Sequence, residues 1–454
     1  MNNEAVELIR RYPLSEAIPP EKLEAELAEL ERLEKASTPA WLAGYLRLTG
    51  PGFLLGAGLG AGSLTSAMLM GAHFGYRALW VIWLPLALGL FVLAAAARFT
   101  SGGFRVIPTQ NSYHGYLIGS GLTALLGCAF VGLVFSFGQY SLASHALESL
   151  TGVLGFEVPR RLNWIVIVLL TSWMVLLYGR KDKPGIRRVE TIMKAAILLM
   201  IVSFGASMIV VGVDWRAMLR GSFVPWMPRG VEGLTILLAS ATAAIGVMDW
   251  VLFHYTSLSR GWGRKHETLA RFDMAVGYLV PTILINYLVI AVCAETLHRL
   301  QVRPETASEL AATLAPILGG YWSQVLLYVG LLAVPMSTTV MMCIATAITI
   351  HEAFGWAPDT SSLRWKITAL LPQIGVLGVW YPRPLWLVII IGAFLTLTKN
   401  FVGWSFYLLL NDRRVLGEGR CKSFWWNAGV VLDLTLINCM GIVYVLSQLG
   451  FWPE

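Results

Sequence analysis

The chain has 454 residues, of which 56% are hydrophobic and only 13% are charged, and its mean hydropathy is +0.65. A soluble domain carries about twice that density of charge, so the composition excludes an ordinary soluble protein and predicts an all-α polytopic membrane protein. The net charge is +7, but Lys and Arg are scattered between apolar segments, which argues against binding of nucleic acid. The five cysteines show no C-x-x-C pair and are interpreted as small core residues.

Residues 1–48 are mostly polar and are predicted to form a cytoplasmic segment ahead of the membrane region. Leu23, Leu27, Leu30 and Leu33 recur at helical spacing among glutamates, which predicts a short amphipathic helix. Helices that lie on a membrane surface usually carry Lys and Arg on their polar face, whereas this one is acidic. We therefore expect the helix to pack against other parts of the protein.

Eleven segments are apolar enough to cross a bilayer, for which about 20 residues are needed. These spans 1 to 11 are predicted at residues 49–73, 77–97, 121–147, 161–179, 188–212, 231–258, 272–296, 320–351, 365–381, 384–410 and 424–449. An odd number of spans puts the termini on opposite sides. Lys and Arg are concentrated in loops on the N-terminal side, so we expect a cytoplasmic N-terminus and a C-terminus across the plasma or bacterial inner membrane.

Two of these spans carry interruptions at corresponding positions. Span 1 contains GAGLGAGS at residues 56–63, and span 6 contains ASATAAIGVMDW at residues 239–250. A broken helix at the start of each group of five spans is typical of secondary transporters built from inverted repeats. The predicted organisation is a first repeat at 49–212, a second at 231–410 and an eleventh span at 424–449. Small residues at this density also fit a close-packed helix crossing, and that alternative stays open.

An interrupted helix leaves backbone N–H and C=O groups without their usual partners. In a cavity lined by protein, the freed N–H groups attract anions and the freed carbonyl groups attract cations. We therefore expect a solute site at the place where the two breaks meet.

Several motifs, spread over nearly all of the chain, are similar to those of the Nramp family in their order and spacing. They are GPGFL at 50–54, FGY at 74–76, GIRRVE at 185–190, RFDMAVGYLVPTILIN at 271–286, LAPILGG at 314–320 and LLLNDRRVLGE at 408–418. The resemblance implies a LeuT-type fold of ten core helices in an inverted 5+5 repeat, plus an eleventh. It also implies transport of Mn²⁺, Fe²⁺ and related divalent ions together with protons.

The family's metal-binding positions are occupied by other residues in this chain. Where the family has Asp-Pro-Gly-Asn in span 1, this chain has GAGS at residues 60–63, so that Gly60 replaces the metal-binding acid. Where the family has Met-Pro-His in span 6, Met248 is retained and Asp249 follows it. The candidate substrate-binding residues around the breaks are Gly60, Gly62, Ser63, Ile245, Met248, Asp249, Trp250, Thr398 and Lys399.

A partly dehydrated Mn²⁺ or Fe²⁺ needs hard donors and at least one anionic ligand. Met248 and Asp249 are the candidate metal ligands, assisted by backbone carbonyls, and a cation held by this set would retain some of its water. The family's acidic proton-path positions in span 3 correspond to Ser136 and Gln139, which do not titrate near neutral pH. We therefore expect the family's proton route to be absent.

Two lysines lie in or near the predicted hydrocarbon region. Lys399 follows Thr398, which stands at the family's metal-facing glutamine position in span 10. A buried ammonium requires a partner, and we name Asp249; the alternative is that Lys399 binds carbonyls of an interrupted tenth helix. Lys194 is predicted to interact with Glu190, one helical turn earlier.

Three hypotheses about function remain. The first is an Nramp-type carrier of a divalent cation with an altered site, working by alternating access without the family's proton coupling. The second is a carrier of a small organic carboxylate or zwitterion, and the third is a membrane scaffold or sensor that transports nothing. Motifs of hydrolases, metalloproteases and nucleotide-binding enzymes are absent from the sequence, so we expect neither an enzyme nor a cofactor. The sequence leaves the solute and the oligomeric state open.

Overall fold

The computed structural model describes residues 20–59, 61–156, 158, 160–178, 184–243, 246–303, 321–380, 399–417 and 420–448. Every regular element in this part of the chain is a helix, as expected for an all-α protein. Within it, 6 helices are long and apolar enough to cross a membrane, at Trp80–Phe99, Leu117–Val153, Arg188–Val211, Arg264–His298, Gln324–Ala353 and Phe424–Val443.

The helices follow the predicted spans closely. Those of the uninterrupted spans 2, 4, 5, 8 and 11 are Trp80–Ser101, Arg160–Tyr178, Pro184–Val211, Tyr321–Ala353 and Phe424–Gln448. Spans 3, 7 and 9 change helix type along their length, with segments at Leu117–Phe130, Val131–Val153, Glu267–Asp273, Met274–Leu279, Val280–Cys293, Ala294–His298, Leu363–Leu370 and Leu371–Trp380. The described part of span 10 is helical from 399 to 411. Short helices outside the spans are Pro20–Glu34 (α1), Thr38–Leu48 (α2), Val106–His114 (α3), Trp215–Phe223 (α4), Arg264–His266 (α5) and Arg413–Leu416 (α6).

Spans 1 and 6 are each divided into two helices, as the sequence predicts. Span 1 consists of Pro51–Gly56 (1a) and Ala61–Phe74 (1b), and span 6 of Val231–Ala243 (6a) and Val247–Ser259 (6b). Helix 1a packs against 6b, and 1b packs against 6a. The two breaks therefore lie side by side, surrounded by spans 3, 7 and 8.

Helix 1a is held tightly against span 7 by glycines. A Cβ added to Gly52 would lie 2.1 Å from the carbonyl oxygen of Asp273, and one added to Gly56 would lie 2.0 Å from that of Gly277. The Asp273 carboxylate accepts hydrogen bonds from the amides of Gly50 (3.0 Å) and Gly52 (2.6 Å). Asp273 thereby satisfies amides at the start of 1a, which no intrahelical carbonyl can reach.

The ammonium of Lys194 stabilises the chain just before helix 1a. It donates hydrogen bonds to the carbonyl oxygens of Thr49 (2.8 Å) and Leu46 (3.2 Å). The predicted interaction with Glu190 is electrostatic, and the Glu190 carboxylate forms a buried ion pair with Arg260 at 3.3 Å. Lys194 thus acts chiefly on backbone carbonyls of the segment that leads into span 1.

The acidic N-terminal helix packs on protein, as predicted. In α1, Leu30 and Leu33 are buried. Glu26 accepts a hydrogen bond from the indole of Trp262 (3.1 Å), and Glu29 pairs with Arg47 at 2.7 Å. Because Trp262 lies just after helix 6b, α1 is attached to the same end of the molecule as helices 1a and 6b.

The glycine contact between helix 1a and span 7 can be tested by adding one methyl group. Gly52→Ala would push against a backbone carbonyl, so we expect it to reduce the free energy of unfolding by about 1–3 kcal/mol. Gly205→Ala is the matched control, because a Cβ on Gly205 in span 5 meets nothing within 4 Å. Thermal unfolding in detergent micelles measures both, and equal melting temperatures for the two variants would contradict the close packing.

Candidate functional site

The break in span 1 is held from the side of span 8. The hydroxyl of Ser337 donates to the carbonyl oxygen of Ala57 at 2.6 Å, so one carbonyl freed by the interruption has a partner. A Cβ added to the next residue, Gly58, would lie 2.0 Å from the sulfur of Met341. A methionine thioether of span 8 therefore touches the unwound backbone. Gly60, the predicted site residue at the centre of this break, lies outside the described residues.

Asp249 caps the helix that follows the break in span 6. Its carboxylate accepts a hydrogen bond from the amide of Gly246 at 2.5 Å and thereby caps helix 6b at its N-terminus. Every other residue of helix 6b is buried, whereas Asp249 is partly accessible. The residue that caps this break is thus also the residue of helix 6b that is partly accessible. Ile245, another predicted site residue, lies outside the described residues.

Met248 points from helix 6b towards span 3. It is buried, and its terminal methyl group lies 3.4 Å from the position that a Cβ on Gly132 would occupy. The hydroxyl of Thr346 in span 8 lies 2.5 Å from the same position and has no hydrogen-bond partner among the described residues. A thioether and an unsatisfied hydroxyl therefore meet at the Gly132 face of span 3.

Two residues that sequence reasoning did not select also lie near Asp249. The thiol of Cys128 in span 3 and the phenol of Tyr278 in span 7 both interact electrostatically with its carboxylate. Cys128 is four residues before Gly132 and so shares its helical face. That spacing was available from the sequence, but only the fold shows that this face meets helix 6b.

Ser63, at the start of helix 1b, is already engaged by protein. Its hydroxyl donates to the side-chain oxygen of Asn286 in span 7 at 3.1 Å, and the amide of Asn286 donates to Thr282. Gly62 beside it is partly accessible. Ser63 therefore orients helix 1b against span 7, and a solute would meet its hydroxyl only by displacing Asn286.

Trp250 and Lys399 form a contact between spans 6 and 10. Trp250 is fully buried, and the Lys399 nitrogen lies 5.7 Å from the centroid of its ring. Lys399 lies within electrostatic range of Asp433 of span 11 and of Asp249. The predicted pairing with Asp249 is therefore an electrostatic interaction within a larger group that also includes Asp433. Thr398 lies outside the described residues.

The two span 3 residues that are predicted to stand at the family's acidic proton-path positions are neutral and buried. The Ser136 hydroxyl donates to the carbonyl oxygen of Leu133 in its own helix at 2.6 Å. It packs against span 9, where a Cβ on Gly375 would lie 2.1 Å from it. Gln139, one turn further on, is 1% exposed. Ser136 therefore serves the packing of spans 3 and 9, and Gln139 is buried on the same helix.

The donors around the breaks do not form a closed metal-binding cage in the described part of the chain. Among the described residues, no group of three or more His, Cys, Asp or Glu side chains could enclose a metal ion. The donors near the breaks are the Asp249 carboxylate, the thioethers of Met248 and Met341, the Thr346 hydroxyl and backbone carbonyls. Such a set fits a cation that keeps part of its hydration shell.

Two larger cavities lie away from the breaks. One of about 570 Å³ adjoins the end of helix 1b and α4, and one of about 560 Å³ lies between α3 and spans 10 and 11. Neither is lined by residues of the two breaks.

The fold places this chain in the class of LeuT-type integral membrane proteins. A manganese transporter of Eremococcus coleocola superposes with a TM-score of 0.71 at 16% sequence identity, over 91% of this chain and 89% of that one. MhsT in complex with L-phenylalanine superposes with a TM-score of 0.58 at 16% identity, over 87% of this chain and 98% of that one. At these identities the likeness establishes the fold.

Sequence similarity then establishes the family. The family described as "Natural resistance-associated macrophage protein-like" matches residues 52–447, and the chain belongs to this Nramp family. It is 23% identical to the divalent metal cation transporter MntH of Agrobacterium fabrum over 88% of this chain and 87% of that protein. It is 26% identical to Protein Malvolio of Drosophila melanogaster over 55% of this chain and 42% of that protein. The chain thus covers less than half of Malvolio, but most of MntH.

Proposed function

We propose that this protein is a secondary transporter that moves a divalent cation across the membrane by alternating access, with Asp249 as the anionic group of the site. The observation that carries the proposal is the position of Asp249. It stands where two interrupted helices meet, and it is the one residue of helix 6b that is partly accessible. Relatives of this protein in the family include proteins named as divalent metal cation transporters.

The donors suggest which cations bind. The Asp249 carboxylate uses one lone pair for the Gly246 amide and keeps the others for a ligand. Met248 adds a thioether, which favours softer ions such as Mn²⁺, Fe²⁺ or Cd²⁺ over Mg²⁺ and Ca²⁺. A single carboxylate offsets only part of the dehydration cost of a divalent ion. We therefore infer that the ion retains several waters.

Contacts at the proposed cytoplasmic end indicate which elements move. In the orientation with a cytoplasmic N-terminus, helices 1a and 6b face the cytoplasm. The Glu190–Arg260 ion pair and the hydrogen bonds from helix 1a to Asp273 keep this end closed. Release to the cytoplasm then requires that 1a separate from span 7 and that this ion pair break.

A second candidate is a carrier of a zwitterion, and one observation favours it. Lys399 and Asp249 interact electrostatically near the breaks, so the site offers both signs of charge. Free amides at a helix break also suit a carboxylate. This candidate predicts that amino acids, and no divalent ion, are taken up by the reconstituted protein.

Uptake of Mn²⁺ or Cd²⁺ into proteoliposomes tests the cation proposal. Asp249→Asn keeps an oxygen that accepts from the Gly246 amide but removes the charge, so we expect normal folding and at least a tenfold loss of uptake. Asp249→Ala also removes the cap and is expected to reduce stability by about 1 kcal/mol. Glu31→Gln, at an exposed position of α1, is the control and should transport normally. Undiminished uptake by Asp249→Asn would contradict the proposal.

We further propose that transport does not use the family's proton route. The side chains of Ser136 and Gln139 neither gain nor lose a proton near neutral pH. An inward proton gradient is therefore expected to leave the initial rate of Mn²⁺ uptake unchanged, with no acidification of the liposome lumen by the transport itself. A trapped pH-sensitive dye measures both. Cation-dependent acidification of the lumen would show that a proton path exists.

A further inference from the structure

Three ionisable side chains, one each on spans 6, 10 and 11, lie within electrostatic range of a common centre at Lys399. Lys399 is 6% exposed, and Asp433 is 1% exposed. Within the described part of the chain, one carboxylate oxygen of Asp433 has no hydrogen-bond partner. Isolated buried charges of this kind are costly and persist only when they offset one another. Lys399 interacts electrostatically with Asp433 and with Asp249.

Gly403 explains how three spans come this close. It lies one turn after Lys399, on the same face of span 10. A Cβ at this position would lie 2.3 Å from a methyl carbon of Leu434 and 3.4 Å from the ring of Trp250. Leu434 is next to Asp433, and Trp250 is next to Asp249. The Lys399 face of span 10 is therefore packed between the two carboxylate-bearing helices.

The group contains unequal numbers of positive and negative side chains, and this imbalance affects the binding of a cation. Lys399 supplies one positive charge against two carboxylates, so neither is fully offset while both share it. A divalent ion at Asp249 would repel the ammonium, because charges in a buried setting are poorly screened. The carboxylate of Asp433, with its unpartnered oxygen, is then available to take the whole of the lysine's charge.

We propose that Lys399 is a tethered internal cation that Asp249 and Asp433 share, and that it competes with the transported cation for Asp249. When the site is empty, the lysine offsets Asp249; when an ion binds, the lysine is balanced by Asp433. This inference rests on the proposed function. It gives the eleventh helix a part in substrate affinity although it lies outside the ten-helix core.

Opposite effects of two neutralising substitutions test the competition. Lys399→Met removes the competitor and is expected to lower the Kd for Mn²⁺ by about tenfold. In Asp433→Asn, Asp249 is the one carboxylate of this group that remains to offset Lys399. The lysine should then compete more strongly with Mn²⁺ and raise the Kd by a similar factor. In the double variant the lysine is absent, so its Kd should match that of Lys399→Met. Mn²⁺-dependent thermal stabilisation in detergent gives each Kd, and Lys265→Met at an exposed position is the control.

The wild type, the two single variants and the double variant, each measured without Mn²⁺, test the charge pairing independently of any substrate. Either single substitution removes the attraction between Lys399 and Asp433, and the double variant loses it only once, so the double variant should be more stable than the sum of the single effects predicts. Additive effects on melting temperature would overturn the proposal. So would an unchanged Mn²⁺ affinity in Lys399→Met while the wild type binds Mn²⁺, and in that case the proposed function stands. If Mn²⁺ stabilises none of the four proteins, the cation proposal and the competition are both wrong.

Discussion

Two helices in the centre of this protein cross the membrane region without a continuous ladder of backbone hydrogen bonds. Neighbouring groups must therefore form hydrogen bonds with the backbone N–H and C=O groups that the interruptions leave unpaired. The Ser337 hydroxyl binds a carbonyl freed in span 1, and Asp249 binds the amide at the start of helix 6b. Asp273 performs the same task at the start of helix 1a. Asp249, the side chain proposed to act on the solute, is thus also one of those that hold the breaks in place.

The second constraint is the placement of charged side chains among buried residues, and it follows from the way in which helix 6b is capped. A carboxylate that caps helix 6b also places a negative charge among buried residues, where Lys399 and Asp433 lie within electrostatic range. Under the proposed mechanism, this group replaces functions that the family assigns to other residues. The ion meets one acid instead of an acid and an amide, and an internal lysine, rather than a proton on span 3, balances the site when it is empty.

The sequence was sufficient for the features that depend on local pattern. Apolar length predicts the spans, and runs of small residues predict the two breaks, both of which the structure shows. The resemblance also points to Met248 and Asp249. Gly60, Ile245 and Thr398 lie outside the described residues, so their roles stay predictions.

Contacts between distant segments could not be read from local pattern. The side chains missed for this reason are Cys128, Ser337, Met341 and Thr346, which come from spans 3 and 8 and reach the breaks only through the packing of the fold. Likewise, the sequence predicts either Asp249 or carbonyls of the tenth helix as the partner of Lys399, whereas the structure also brings Asp433 of span 11 within its electrostatic range. Nothing in the local sequence of span 11 distinguishes Asp433 from a structural hydrogen-bonding residue.

The most direct measurement of a cation site at Asp249 is anomalous diffraction at the manganese absorption edge, from crystals of the protein grown with Mn²⁺. We expect one peak at the junction of the two breaks, in contact with the Asp249 carboxylate and beside the sulfur of Met248. The absence of a peak there, or elongated density that joins Asp249 to Lys399, would contradict a cation site and favour an organic solute.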